Sequence, residues 1–474
     1  MHGNQDLRRL MAEAELSNTG LANAVVRAAA REGIHLGTSP TSVKRMLLGC
    51  QPRDPVPRLV ASALSRRLGY PVTVTACGFD DHRTAGDTFD ALRRAPTPGG
   101  TMGTVVELSG RDLNRRNFLL GSAFTASAFA EPAWLALTAP PPEATAAVGG
   151  GRRIGTAEIK VLGEMVRHYE SLQRRFGGGQ VRDRVVRFVH DEARVAAEAT
   201  YSEQHGRELF STLAQATWLA GLTTADSGRH ALGQRYYAQA LHLATQAGDT
   251  LFAANVLAEM SRLTIDIGNA TSQATGAEHG PHAAALARSA LRMTEGAATP
   301  RFAAWLHAIE ARGLAFVGDA RSARQAIEEA QRAFDRPGPP EPEWLAFYGE
   351  PDLISDVGQC LRDAGRPQQG LALLEQAAAA LPEDRVTARA KTRIHIAAAH
   401  LELGDYDQAE AVAGQAFADM GELSSARTVD RVVALRQRAR GRGRHPALLD
   451  LDERITELVG ERPSSGPGST GVTT

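Results

Sequence analysis

At 474 residues the chain is long enough for more than one domain, and 43% hydrophobic with 23% charged residues is a globular rather than a fibrous or disordered composition. Formal net charge is −1, and three well-separated cysteines (Cys50, Cys77, Cys360) supply neither a disulfide framework nor paired metal ligands, which fits a reducing cytoplasm. No stretch approaches the roughly 20 consecutive apolar residues that span a bilayer.

The charge is unevenly spread. Residues 1–70 hold ten Lys/Arg against five acids, a local charge of +5, so the amino-terminal segment is a candidate nucleic-acid binder. DLRRLMAEA (6–14) predicts a short helix with Leu7, Leu10 and Met11 inward. Ser17-Asn18-Thr19 offers an N-cap to a second helix, GLANAVVRAAAREG, closed by Gly33. Thr38-Ser39-Pro40 caps a third, TSVKRMLLG, with Val43, Met46 and Leu47 as its buried stripe. Pro52 and Pro55 stop it, and VPRLVASALSRRLG follows as a fourth.

A helix, a turn, and a helix with small polar and basic residues at its start make a helix-turn-helix pattern. Its second helix lies in the major groove of double-stranded DNA. Thr38, Ser39, Thr41, Ser42, Lys44 and Arg45 are the candidates for base edges and nearby phosphates. Arg27, Arg31 and Arg53 are candidates for phosphates, giving affinity without sequence information. The competing reading is a small helical cap with solvated arginines. The segment TSVKRMLLGCQPRDPVPRLVASALSRRLGYPVTVTACGF (41–79) resembles a stretch, S-x-V-x-R-W-L-x-G-x-x-P-R-x-P-x-P followed by L-S-x-R-L-G, of helix-turn-helix regulators of filamentous actinobacteria. Met46 departs from it, standing where those regulators usually carry Trp.

Between residues 84 and 155 the proline- and glycine-rich runs APTPGG (95–100) and APPPEATAAVGGGRRIG (139–155) predict a linker. Inside it, NRRNFLLGSAFTASAFAEPAWLAL (114–137) has the twin arginine (Arg115, Arg116) and apolar stretch of an export signal. Such signals act as leaders. Here more than a hundred residues precede it, and initiation at Met102 would discard the first module. The expected role is an apolar helix docking the linker through Phe118, Leu119, Phe124, Phe129, Trp134 and Leu135; the actinobacterial regulators carry a similar RRxFL segment at this place.

From 156 to 460 apolar residues recur at helical spacing, and four units share a pattern of small residues. Gly228, Gly318, Gly365 and Gly404 each follow a small residue by seven positions (Gly221, Ala311, Gly358, Ala397). Each precedes another by five (Gly233, Ala323, Gly370, Ala409), with an alanine seven later (Ala240, Ala330, Ala377, Ala416). These are the close-packing positions of a tetratricopeptide repeat, with Pro382 where a repeat's second helix ends. A degenerate fifth repeat fits between the first two glycines. A stacked array offers a concave groove, and His242, Asn255, Arg262, His307, Arg312 and His395 are candidates to face it. Residues 461–474 read as a disordered tail.

No catalytic constellation survives inspection: GGGRRIG (149–155) follows a proline linker and lacks Gly-Lys-Ser/Thr, and the 14 histidines show no HExxH. The expectation is an all-α, non-enzymatic, cytoplasmic protein without cofactor or metal. Its helix-turn-helix domain (1–83) would bind an operator, and its repeat body (156–460) would mediate homodimerisation and bind a peptide, small-molecule or protein effector. The resemblance implies a regulator of development or antibiotic production, several of which are repressors. A repeat adaptor that binds proteins without reading DNA, and an exported repeat protein, are the rivals.

Overall fold

The computed structural model describes residues 4–14, 16–31, 36–52, 56–68, 77–79, 91–113, 124–138, 151–270, 279–421 and 423–460. Among these the chain is all-α: twenty α-helices, no β-strand, and an isolated bridge between Arg153 and Thr200. No helix among the described residues is long and apolar enough to cross a membrane. Two compact units divide the chain, Met1–Asp90 and Ala91–Thr474. The predicted tail, 461–474, lies outside the described residues.

The first unit comprises α1 (Gln5–Glu13), α2 (Asn18–Arg31), α3 (Pro40–Leu47) and α4 (Val56–Leu68). Side chains satisfy amides in the first turns of three of these helices. Asn4 Oδ1 accepts from the Leu7 N–H at 2.9 Å, Ser17 Oγ from that of Gly20 at 3.1 Å, and Ser39 Oγ from that of Ser42 at 3.2 Å. Pro40 opens α3, where its missing N–H leaves no bond unmade. Leu7, Leu21, Val25, Val43, Leu59, Val60 and Leu64 are wholly buried in one core, and Met46 joins them. Asn4 also ties the unit's ends together, donating from Nδ2 to the carbonyls of Cys77 and Gly78 at 2.9 and 3.2 Å. Burial, reinforced by Asp6, pushes the Cys77 thiol up to about 12, so it packs as an apolar residue.

The second unit starts well before the repeats. Within the expected linker the chain forms α5 (Pro98–Leu113) and, after a 3₁₀ turn at Ala126–Phe129, α6 (Ala130–Thr138). There follow α7 (Thr156–Phe176), α8 (Gly178–Glu198), α9 (Glu203–Asp226) and α10 (His230–Ala247). Helix α5 packs on α8 and α10 and buries Met102, Val105 and Leu108, a helical period that begins just beyond the Pro/Gly run. Ahead of it the backbone of residues 91–95 is held by one row of α10 side chains. Gln239 Nε2 donates to the Ala91 carbonyl at 2.6 Å and Gln246 Nε2 to that of Ala95 at 3.3 Å, while His242 Nε2 meets the Leu92 carbonyl at 2.9 Å. Residues 91–113 are therefore part of the body and not a linker.

The remaining helices are α11 (Thr250–Ala270), α12 (His279–Met293), α13 (Pro300–Phe316), α14 (Ala320–Phe334), α15 (Glu350–Asp363), α16 (Pro367–Ala380), α17 (Val386–Leu403), α18 (Tyr406–Asp419), α19 (Ala426–Ala439) and α20 (Pro446–Gly460). The four glycine-marked units are the helix pairs α9–α10, α13–α14, α15–α16 and α17–α18. Their turn glycines take φ of 79°, 80°, 77° and 86°, a left-handed conformation that costs glycine nothing. Helices α11 and α12 pair in the gap left for a degenerate unit. In α15–α16 the backbones meet: a Cβ built on Gly370 would stand 2.6 Å from the Gly358 carbonyl oxygen and 2.9 Å from the Arg362 nitrogen.

That approach reverses an ordinary rule. Glycine to alanine in a helix usually gains up to about 1 kcal/mol. Gly370→Ala is instead expected to cost about 1–3 kcal/mol, because the methyl group forces the pair apart. All four tryptophans (134, 218, 305, 344) lie beyond residue 90, so urea unfolding followed by tryptophan fluorescence reports the body alone. An unchanged or raised midpoint would contradict the close approach.

The array also returns on itself. Thr387 Oγ1 at the start of α17 donates to the Arg174 carbonyl of α7 at 2.8 Å. The Ser424 N–H donates to Phe176 at 3.0 Å, and the Gly179 N–H to Ser424 at 2.8 Å. Asp226, at the end of α9, accepts from the Gly178 N–H at 2.6 Å and from Ser425 Oγ at 2.5 Å. Where an open concave groove is expected from sequence, the early and late helices close around an interior.

Candidate functional site

Two places concentrate polar chemistry. The first is the solvent face of α3. Its core stripe, Val43 and Met46, faces inward, which leaves Thr41, Lys44 and Arg45 exposed at the i, i+3 and i+4 positions that share one helix surface. Ser39 and Ser42 lie at the cap, their hydroxyls 3.1 Å apart, so part of their hydrogen-bonding capacity is spent on the helix itself. Thr38 is half-buried just ahead, and Arg27 is exposed on α2. The side chain of Arg31 and the whole of Arg53 lie outside the described residues, as do Arg115, Arg116, Phe118 and Leu119 of the export-like segment. Leu48, at i+7 from Thr41 and 62% exposed, extends the α3 stripe with an apolar residue that the sequence reading leaves unremarked. From the apolar segment Phe129 is fully buried, but Trp134 is 66% exposed.

The second place is the interior of the body, a cavity of about 130 Å3. Its floor is a chain of buried ion pairs crossing six helices. Arg431 Nη2 donates to both oxygens of Asp266 at 2.9 Å, and Arg427 and Arg312 stand 3.8 and 3.9 Å from the same carboxylate. Arg427 Nε reaches Asp226 at 3.4 Å. On the other side Asp356 lies 4.0 Å from Arg312 and 3.7 Å from Lys391. Burial opposes ionisation of Asp266, but Arg431, Arg427 and Arg312 outweigh it and hold the carboxyl far below the usual range. Burial brings the Lys391 ammonium down to about 8, against the pull of Asp356. Aromatic rings of Trp218, Trp305, Phe347 and Tyr348 complete the wall, with the Arg174 guanidinium 4.6 Å over the Phe347 ring.

The residues expected in a groove divide among three environments. Arg262, paired with Glu259 at 3.0 Å, and Arg312 line the cavity. His395 lines an adjoining cleft that shares Arg312 and Arg431, and its Nδ1 lies 2.9 Å from Arg362. His242 is instead buried under residues 91–95, where desolvation brings it down to about 4 and the Leu92 carbonyl only partly opposes the shift. Asn255 is buried within α11, and His307 lies beside Glu310 at 3.7 Å, outside both clefts. The sequence reading misses Glu259, Asp266, Asp356, Arg427 and Arg431. Helix spacing marks each as polar but cannot say that three helices far apart in the chain carry them to one point.

Residues 7–80 match the family model described as the SP15 N-terminal domain, a span that falls within the first unit. No curated protein matches the chain.

Proposed function

We propose that the chain is a DNA-binding transcriptional regulator, in which α2, the following turn and α3 act as a helix-turn-helix and the body is a tetratricopeptide-type array. The observation that carries this reading is the exposed Thr41, Lys44, Arg45 stripe at the start of a Ser39-capped helix, in a segment of charge +5. Arg45 suits a bidentate contact with guanine, Lys44 a phosphate or guanine, and Leu48 a thymine methyl group. The resemblance of residues 41–79 to actinobacterial regulators supports the same reading, and with it repression of development or secondary metabolism as the biological role. So small a basic module makes few phosphate contacts and binds weakly alone. Dimerisation through the body would set two recognition helices on half-sites a whole number of helical turns apart. An effector held by the body would bias that geometry and so operator occupancy. The protein would work in the cytoplasm.

The test is genome-wide DNA immunoprecipitation of the tagged protein beside its Lys44→Ala, Arg45→Ala variant. Discrete peaks lost in the variant are expected, with operator affinity in vitro reduced tenfold to a hundredfold, since a bidentate base contact contributes about 1–3 kcal/mol. The salt dependence should also become shallower. An absence of peaks with either protein would overturn the reading in favour of a repeat adaptor that binds protein partners.

A further inference from the structure

The cavity in the body carries a mismatch that its own residues do not resolve. Four buried polar atoms of residues lining it have no hydrogen-bond partner: Trp218 Nε1 and Glu259 Oε2, and also Arg427 Nη1 and Asp356 Oδ1, whose ionic neighbours stand 3.7, 3.8 and 4.0 Å away, beyond hydrogen-bond distance. All four residues are more than nine-tenths buried. A buried polar group left unpaired costs about 1–3 kcal/mol, so four in one wall mark a place built for something with hydrogen bonds to exchange. Two of these atoms donate and two accept, and each acceptor belongs to a carboxylate.

The charge pattern narrows the class. Every cation in the wall already has a carboxylate within 4.0 Å: Arg262 has Glu259, Arg385 has Asp352, Lys391 and Arg312 have Asp356, Arg431 has Asp266, Arg427 has Asp226, and Arg174 has Glu170. Seven cations thus share six carboxylates, Asp356 serving both Lys391 and Arg312, and the surplus of one positive charge matches a single carboxylate better than a multiply charged phosphate or nucleotide. With the two carboxylate oxygens left without a hydrogen bond, this suits a ligand that brings one carboxylate and one ammonium. The aromatic residues of the wall add an apolar surface beside the charged one. At 130 Å3 the space holds roughly ten water-sized atoms, the size of one amino acid or the smallest peptides.

We infer that the cavity binds an α-amino-acid zwitterion, free or as a dipeptide, its carboxylate received by Trp218 and Arg427, its ammonium by Glu259 and Asp356, and its apolar side chain by the aromatic wall. This rests on the reading of the body as an effector-binding domain and names the effector's chemistry. The ligand is gripped at both charged ends, so blocking either end removes it.

The experiment is isothermal titration of the full-length protein without DNA, so that its outcome is separate from that of the operator test. The probes are the proteinogenic amino acids and the small dipeptides glycyl-glycine and glycyl-alanine, each beside its N-acetyl and C-amide forms. Saturable binding of at least one zwitterion is expected, weakened at least about tenfold by either blocking group; the two probe sets decide between free amino acid and dipeptide. Trp218→Phe removes the indole N–H while keeping an aromatic ring and should weaken binding about tenfold. Glu259→Gln, measured on the folded protein, should do the same. No binding by any zwitterion to the folded protein, or equal binding of blocked and unblocked forms, overturns the assignment.

Discussion

Replacing Asp112 by alanine is expected to destabilise the body by about 3–5 kcal/mol, the usual cost of leaving a buried charge without its partner. Asp112 sits in the last turn of α5 with its side chain 2% exposed, and Arg182 of α8, 5% exposed, donates to both of its oxygens. Tyr236 of α10 donates a third bond at 3.0 Å, and Arg229 stands 3.6 Å away. Burial, with Asp112 alongside, holds the Tyr236 phenol protonated well beyond its ordinary range, so it remains a donor at any working pH. The alanine variant strands a guanidinium and a hydroxyl together. Its remaining bond to Asp183 leaves Arg182 only partly compensated. Asp112→Asn, which keeps an acceptor for Tyr236, should lose less. The measurement is the urea midpoint by tryptophan fluorescence, with proteolytic cleavage between residues 91 and 113 followed in parallel. A change within about 0.5 kcal/mol, the usual range for an uninvolved surface site, would mean that α5 does not belong to the folded body.

Asp266→Asn should cost a similar amount, about 3–5 kcal/mol, through a different arrangement. Here one carboxylate serves three guanidinium groups from α13 and α19, and removing its charge sets Arg312, Arg427 and Arg431 against one another in a buried site. The effect has a pH signature. The folded carboxyl is held far below its usual value while the unfolded one titrates near about 4. Below that pH the unfolded chain binds the extra proton and the native one does not. The stabilisation is therefore complete above about pH 4 and is lost as pH falls further. Wild type should lose stability more steeply than Asp266→Asn below pH 4, and the two curves should converge in strong acid. Parallel curves from pH 7 to pH 3 would show that the carboxylate is not held as described.

Much of this was legible because it is local. Leu7, Leu10 and Met11 make a helix face by spacing alone, Ser39 and Pro40 start α3 wherever it lies, and the turn glycines 228, 318, 365 and 404 need φ above zero in whatever array they join. Residues 91–113 were misleading for the same reason. Their Pro/Gly run reads as loose chain, and nothing nearby announces that Gln239 and Gln246 of a helix some 150 residues later hold their carbonyls.

The amino-acid sequence alone determined the all-α class, the places where helices begin and turn, and the small residues that let paired helices touch, since each depends on the chemistry of a few neighbouring positions. The tertiary structure alone decided that α5 belongs to the body, that the late helices close on the early ones, and that Asp226, Asp266 and Asp356 meet arginines from distant helices around one cavity. Those pairings are chosen by superhelical curvature and by the cost of leaving a charge alone once it is buried, and neither exists until the whole array has closed.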